Sequence, residues 1–303
     1  MSWRILREQV KNQKEKADEE GFEKLWTTLL KRRERRRVLL LIARQLRQGP
    51  PHSVKGRLSL AGERIGAEAG RLLAACLRAL PPPIPLTHLD LQGNELNFAS
   101  AVPLAEALRG GFAAGQLRVL RLSDNPLIGD DGLTLLGAAL PTTLSEVALD
   151  NVGGGDDGLR ELARRLPSLS DFARHSSHGA ILRCGGNHAM GEDSFRRFSE
   201  CLPAIPALSE LSFDSCSGMS DSGAIRLAEG LRELADCGAA LNKLSLNHCG
   251  IGERGMRAIS KSLHHCPSLA VLSLAGNDFS TSLRELKVAC GKNMRLKLRL
   301  HDL

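Results

Sequence analysis

The chain has 303 residues, a formal net charge of +7, 42% hydrophobic residues, only 3% aromatic residues and no tyrosine. That is apolar material enough for a large core, and the core has to be aliphatic. No apolar run is longer than that of Val38 to Ala43, far short of the roughly 20 residues a bilayer-spanning helix needs. Acidic residues crowding 15–23 exclude a secretory signal and argue against a transit peptide, although Met1 to Lys14 alone is compatible with one.

Charge divides the chain. Residues 1–49 hold 14 Lys and Arg against 7 Asp and Glu, and both tryptophans; the remainder is neutral. Within this arm, Trp3, Leu6 and Val10 form one face of a short helix. Phe22, Leu25, Trp26 and Leu29 follow helical spacing, and Leu39, Ile42, Ala43 and Leu46 give a third stripe that stops at Gly49-Pro50-Pro51. The third stripe, Val38 to Arg47, reads as a capping helix; Lys31 to Arg37 is the basic run before it. The predicted organisation is a basic helical arm with its capping helix over 1–49, then a second unit over 50–303.

From residue 57 a repeat takes over. RLSLAGERIG at 57 is a degenerate first copy. LTHLDLQGNEL at 86, LRVLRLSDNPLIG at 117, LSEVALDNVGG at 144, AILRCGGNHAMG at 180, LSELSFDSCSGM at 208, LNKLSLNHCGIG at 241 and LAVLSLAGNDF at 269 follow. The pattern is L-x-x-L-x-L-x-x-(N/C), with adjacent starts separated by 31, 27, 33 and 28 residues where neighbours are unambiguous. Amphipathic helix patterns follow the strands, as in GDDGLTLLGAALP (129–141) and GERGMRAISKSLHHCP (252–267). Leu at positions 1, 4 and 6 points inward from a short strand, and the residues between face solvent. Asn or Cys at position 9 (Asn94, Asn125, Asn187, Cys216, Cys249, Asn277) pairs backbone groups of neighbouring turns, and a following Gly permits the turn into the helix. Between Leu144 and Leu208 there is a surplus: either LSDF (169–172) or ILRC (181–184) is the strand. Register with Leu120, Leu122 and Asn125 favours ILRC, leaving an insertion near 168–178. MRLKLRL (294–300) alternates like a closing strand.

Over roughly residues 57–300 these motifs resemble the ribonuclease-inhibitor-type leucine-rich-repeat family. The resemblance implies an α/β solenoid, a horseshoe of about eight repeats with a parallel concave sheet and convex helices, here preceded by a helical N-terminal extension. That family includes GTPase-activating proteins of the Ran system, tropomodulins and sensor domains of cytosolic innate-immune receptors. What its members share is an architecture and protein binding, not one chemistry.

Candidate sites follow from the columns. On the concave face Asp90, Arg121, Asp124, Asp150, Arg183, Asp214 and His248 are the candidate partner-binding residues, Arg121 and Arg183 foremost because arginine anchors interfaces. On the arm they are Trp3, Leu6, Phe22, Trp26, Lys31, Arg32, Arg33, Arg35, Arg36 and Arg37. His264, His265, Cys266, His248 and Cys249 keep the spacing of the repeat, not that of a zinc motif. VGGGDDG (152–158) lacks the Lys-Ser/Thr of a phosphate loop. No catalytic triad is readable, so the expectation is no enzyme, no cofactor and no metal. Eight scattered cysteines without CxxC pairs point to a reducing intracellular compartment, the cytoplasm first, an organellar (mitochondrial) or ciliary assembly otherwise. The expected function is a scaffold or structural subunit docked through its arm. Alternatives are a GTPase regulator or enzyme inhibitor, and a subunit contacting RNA or anionic membrane through Lys31–Arg37.

Overall fold

The computed structural model describes residues 56–79, 86–110, 117–169, 179–239, 241–280, 282–291 and 296–300. Among these lie nine short strands: β1 Arg57–Ser59, β2 His88–Asp90, β3 Val119–Arg121, β4 Glu146–Ala148, β5 Ala180–Arg183, β6 Leu208–Ser212, β7 Lys243–Ser245, β8 Val271–Ser273 and β9 Lys297–Arg299. They form one parallel sheet in sequence order, β1 through β9. The helices between them are α1 Gly66–Ala79, α2 Phe98–Gly110, α3 Gly129–Ala138, α4 Asp156–Arg165, α5 Glu192–Cys201, α6 Ser220–Asp236, α7 Glu253–Ser262 and α8 Leu283–Gly291. Each helix packs on the next. The chain is a leucine-rich-repeat solenoid, its eight strand–helix units closed by the strand of 297–299.

Stacking is what builds the core, because one unit cannot bury its own apolar face. Position 4 runs through the sheet in register as Leu58, Leu89, Leu120, Val147, Leu182, Leu211, Leu244, Leu272 and Leu298. Position 6 adds Leu60, Leu91, Leu122, Leu149, Cys184, Phe213, Leu246 and Leu274, all at most 1% exposed. The ambiguous stretch resolves as β5: Ala180–Arg183 pairs with β4 and, through a register shift at Ala180/Ile181, with β6. Leu169 is buried beside the short 3-10 turn Leu166–Ser168, and residues 170–178 are outside the described set.

Just past each strand the backbone turns at position 8, and there φ is positive in all eight units: Gly62, Gly93, Asp124, Asn151, Gly186, Ser215, His248 and Gly276. Glycine, asparagine and aspartate tolerate this left-handed conformation best. Gly at position 10, where the sequence places the turn, has positive φ at Gly153 and Gly250, but the position at which φ is positive in every unit is the one before position 9. The turn keeps the parallel ladder going beyond the strand, as in Gly62 N donating to Gln92 O (2.8 Å) and Asp124 N to Asp150 O (2.8 Å).

Position 9 then ties neighbouring units together. Asn125 Nδ2 donates to the carbonyls of Leu91 (3.0 Å), Leu122 (2.7 Å) and Ser123 (3.1 Å), while its Oδ1 accepts from Asn94 N and Leu96 N, both at 3.0 Å. Asn187 and Asn277 repeat the arrangement. Cysteine repeats the arrangement more weakly: Cys216 Sγ donates to Cys184 O (3.3 Å) and Cys249 Sγ to Phe213 O (3.1 Å), while backbone N–H groups of Gly186 and Asn187, and of Ser215 and Cys216, face the two sulfurs.

On the helix side, aspartates from one unit cap the helix of the next. Asp130 accepts from the backbone N–H groups of Gly155 (2.7 Å), Asp157 (3.2 Å) and Gly158 (2.7 Å), the start of α4. Asp156 accepts from Gly191 (2.7 Å) before α5, and Asp221 from Gly252 (2.8 Å) and Gly255 (2.7 Å) before and in α7. Three orphan donors at a helix start thereby find partners and meet a negative charge. A Cβ on Gly158 would lie 2.7 Å from Asp130 Oδ1, so the glycine ending the GDDG motif makes room for the cap.

Candidate functional site

The concave sheet carries a strip of charge that alternates strand by strand. Cations sit on odd strands: Arg57 on β1, Arg121 on β3, Arg183 on β5, Lys243 on β7, Lys297 and Arg299 on β9. Acids sit on even ones: Asp90 on β2, Glu146 on β4, Glu210 on β6. Between β2 and β7 they join into one network. Arg121 Nε donates to Glu146 Oε1 at 2.7 Å and its Nη1 lies 3.7 Å from Asp90 Oδ2. Arg183 Nη1 lies 3.8 Å from the same Glu146 oxygen, and its Nη2 donates to Glu210 Oε1 at 3.0 Å. Lys243 Nζ closes the chain on Glu210 at 2.9 Å.

The two signs differ in depth. Side-chain exposure is 41% for Arg121, 34% for Arg183 and 40% for Lys243, against 19% for Asp90, 14% for Glu146 and 16% for Glu210. The carboxylates are recessed between strands, and the cations stand over them. Burial alone would raise the Glu210 carboxyl; the Lys243 and Arg183 contacts together outweigh it and hold it below its ordinary value. The hydrogen bond to Glu146 raises Arg121 further. Beside them, burial and then the charges of Arg57 and Arg121 lower His88, which keeps its imidazole neutral near pH 7.

A second row runs along the C-terminal ends of the strands. Asp214 accepts from Ser245 Oγ (2.8 Å) and Asn247 N (2.7 Å). Asp150 accepts from Gly185 N (2.7 Å) and Ser123 Oγ (3.2 Å), and burial raises its carboxyl. Asp124 is exposed and receives Gln92 Nε2 (2.9 Å) and Asn151 Nδ2 (3.3 Å). His248 is exposed at a left-handed turn, its ring over Gly276, where any Cβ would overlap it.

All seven concave candidates therefore share one face, in two rows: Asp90, Arg121 and Arg183 in the network, Asp124, Asp150, Asp214 and His248 at the strand ends. Glu146, Glu210 and Lys243 complete the network and were missed. They occupy position 3, which by two-residue alternation faces the same side as position 5; the signal was that their charges oppose those of the neighbouring units. The arm candidates Trp3, Leu6, Phe22, Trp26, Lys31, Arg32, Arg33, Arg35, Arg36 and Arg37 lie outside the described residues.

Among the described residues no cluster of three or more His, Cys, Asp or Glu side chains is placed to hold a metal, and no helix is long and apolar enough to cross a membrane. Burial pushes the Cys216 and Cys201 thiols up to about 12 and Cys266 up to about 11, and raises Cys184 and Cys249 as well. None of these five supplies a thiolate nucleophile near neutral pH.

A family model described as Leucine Rich repeat matches residues 117–137 and 241–260. The porcine ribonuclease inhibitor is 30% identical over 220 residues, covering 73% of this chain and 39% of that protein. The chain is a leucine-rich-repeat protein similar over most of its length to ribonuclease inhibitor. Another leucine-rich-repeat match is to the mouse Tonsoku-like protein, 30% identical over 230 residues, 75% of this chain but 16% of that one. The chain thus spans well under half the length of these relatives. A solved structure of leiomodin-1 actin-binding site 2 is 15% identical with a TM-score of 0.37, covering 48% of this chain and 79% of that one.

Proposed function

We propose that this leucine-rich-repeat protein is a non-enzymatic interaction protein, a scaffold or structural subunit that engages one partner through its concave strip and another through residues 1–30. The observation that carries the reading is the network from Asp90 to Lys243. Its cations are held in place by recessed carboxylates, so little side-chain freedom is lost on docking. Its charged groups are spent on one another, not arranged as nucleophile, base and orienting acid. The high thiols suit a reducing intracellular compartment, where buried cysteines serve packing. Residues 1–30 add what the strip lacks, two tryptophans on amphipathic stripes suited to docking on a partner, and residues 31–49 carry the whole net charge.

The test is tagged purification of the intact chain and of a chain lacking residues 1–30, with bound proteins identified by mass spectrometry. Circular dichroism checks the fold of each. The intact chain is expected to bring down a stoichiometric complex, and the truncated one to stay folded and lose at least one subunit. A truncated chain that keeps every partner overturns the role of the arm. The likeness to the porcine ribonuclease inhibitor favours a second reading, in which the strip blocks the active site of an enzyme partner; turnover by purified partners would then fall on adding this chain.

A further inference from the structure

The last strand leaves the sheet with an open edge. β9 is joined to β8 by Lys297 N, which donates to Ala270 O at 2.8 Å, and by Arg299 O, which accepts from Leu274 N at 2.9 Å. Backbone groups alternate along a parallel strand, so Leu296 O, both backbone groups of Leu298 and Leu300 N point the other way. Inside the sheet the equivalent groups are used. Leu122 N donates to Ala148 O (2.9 Å), and Arg118 O accepts from Glu146 N (3.0 Å). Among the described residues β9 has no second neighbour. Its side chains show the same gap: Leu298 and Leu300 are only partly buried, whereas positions 4 and 6 of β1 through β8 are at most 1% exposed.

Charge says what fits this edge. On β3 and β5 the arginine at position 5 donates to the glutamate at position 3 of the following strand, Arg121 to Glu146 (2.7 Å) and Arg183 to Glu210 (3.0 Å). Arg299 stands at position 5 of β9 and Lys297 at position 3. Both are exposed, and neither pairs with a carboxylate among the described residues. An acid at position 3 of a tenth strand would lie opposite Lys297 and diagonal to Arg299, as Glu146 lies opposite Val119 and diagonal to Arg121. A second copy of this chain supplies no such acid. Stacked end to end, its Arg57 would come opposite Lys297; paired edge to edge, the cations of one β9 would face those of the other. Like charges directly opposite destabilise a strand pair. Cations on an edge strand thus keep identical edges apart and leave the edge open to an acidic one.

We propose that the open edge of β9 receives an extended segment of a partner protein as a tenth, parallel strand. Its acidic residues would lie beside Lys297 and Arg299, and the apolar residues alternating with them would cover Leu298 and Leu300. Main-chain hydrogen bonds supply affinity in such an arrangement, and the alternation supplies selectivity. This surface goes beyond the network of Asp90 to Lys243 and beyond residues 1–30, and it stands whether or not those bind.

The test uses the full chain and three fluorescein-labelled peptides: glutamate alternating with valine, the same composition with the glutamates clustered at one end, and lysine alternating with valine. Fluorescence anisotropy is expected to show the alternating glutamate peptide binding at least about tenfold tighter than the other two, with affinity falling as salt rises. In a parallel tenth strand the glutamate N–H groups face Leu296 O and Leu298 O. Methylating the glutamate backbone nitrogens should therefore abolish binding, and methylating those of the valines should spare it. Lys297→Glu with Arg299→Glu should turn the preference to the lysine peptide, with circular dichroism checking the fold. Lys297→Glu alone, a milder change, should already weaken the glutamate peptide. Failure of the alternating glutamate peptide to bind, or equal binding of the clustered one, would overturn the proposal. Equal or reversed effects of the two methylations would remove the parallel strand and overturn it too. So would folded variants that keep the original preference and affinity, or a self-associated chain that the peptide takes apart, which gives the edge to a second copy.

Discussion

The first three units and the sixth and seventh solve the same bonding problem with different chemistry. Around Asn94 and Asn125, a buried carboxamide both donates and accepts across the unit boundary, five contacts in the case of Asn125. Around Cys216 and Cys249 the thiol has one weak proton to give, and Cys249 shares it between Phe213 O (3.1 Å) and Asn247 O (3.3 Å). Where the thiols bond weakly, aromatic packing adds cohesion. Phe213 meets Phe195 edge-on at 5.0 Å and Phe198 at 5.1 Å, all three fully buried. Cohesion between units in a solenoid is thus not tied to one residue type: a polar spine and an aromatic knot both serve, and they fail differently.

The largest effect should come from the knot. Phe213→Ala removes the ring shared by both edge contacts and leaves a cavity between units; guanidinium unfolding should show a loss of about 4 kcal/mol. Asn125→Ala leaves two N–H groups and up to three carbonyls without this partner, and a drop of about 3 kcal/mol is expected by urea titration. Smallest is Cys249→Ala, about 1 kcal/mol in a thermal melt, because the thiol donates weakly and accepts less. A Cys249→Ala cost equal to that of Asn125→Ala would erase the distinction between the two halves. A mild Phe213→Ala would instead show the sixth and seventh units to be held by their aliphatic core.

Much of this was legible because each unit repeats its own grammar. Leu at 4 and 6, Asn or Cys at 9 and the period itself place β2 through β8 without coordinates, and the alternation in 294–300 anticipates β9. What stayed hidden depends on partners in other units. Asp130 reads as an ordinary helix-start acid, yet its three donors lie 25 to 28 residues on. Glu146 and Glu210 read as solvated strand residues until the register sets them beside Arg121, Arg183 and Lys243. The opposed charges of adjacent units can be read from the sequence, but only the register of the strands sets which side chains meet.

The aspartate caps give the molecule a direction in time. In each case the acceptor belongs to the earlier unit and the donors to the later one: α3 completes α4, α4 completes α5, α6 completes α7. Made from its N-terminus on a ribosome, the chain has each of these caps in place before the helix that needs it emerges. Loss of one aspartate would leave its own helix sound and unfasten the unit that follows.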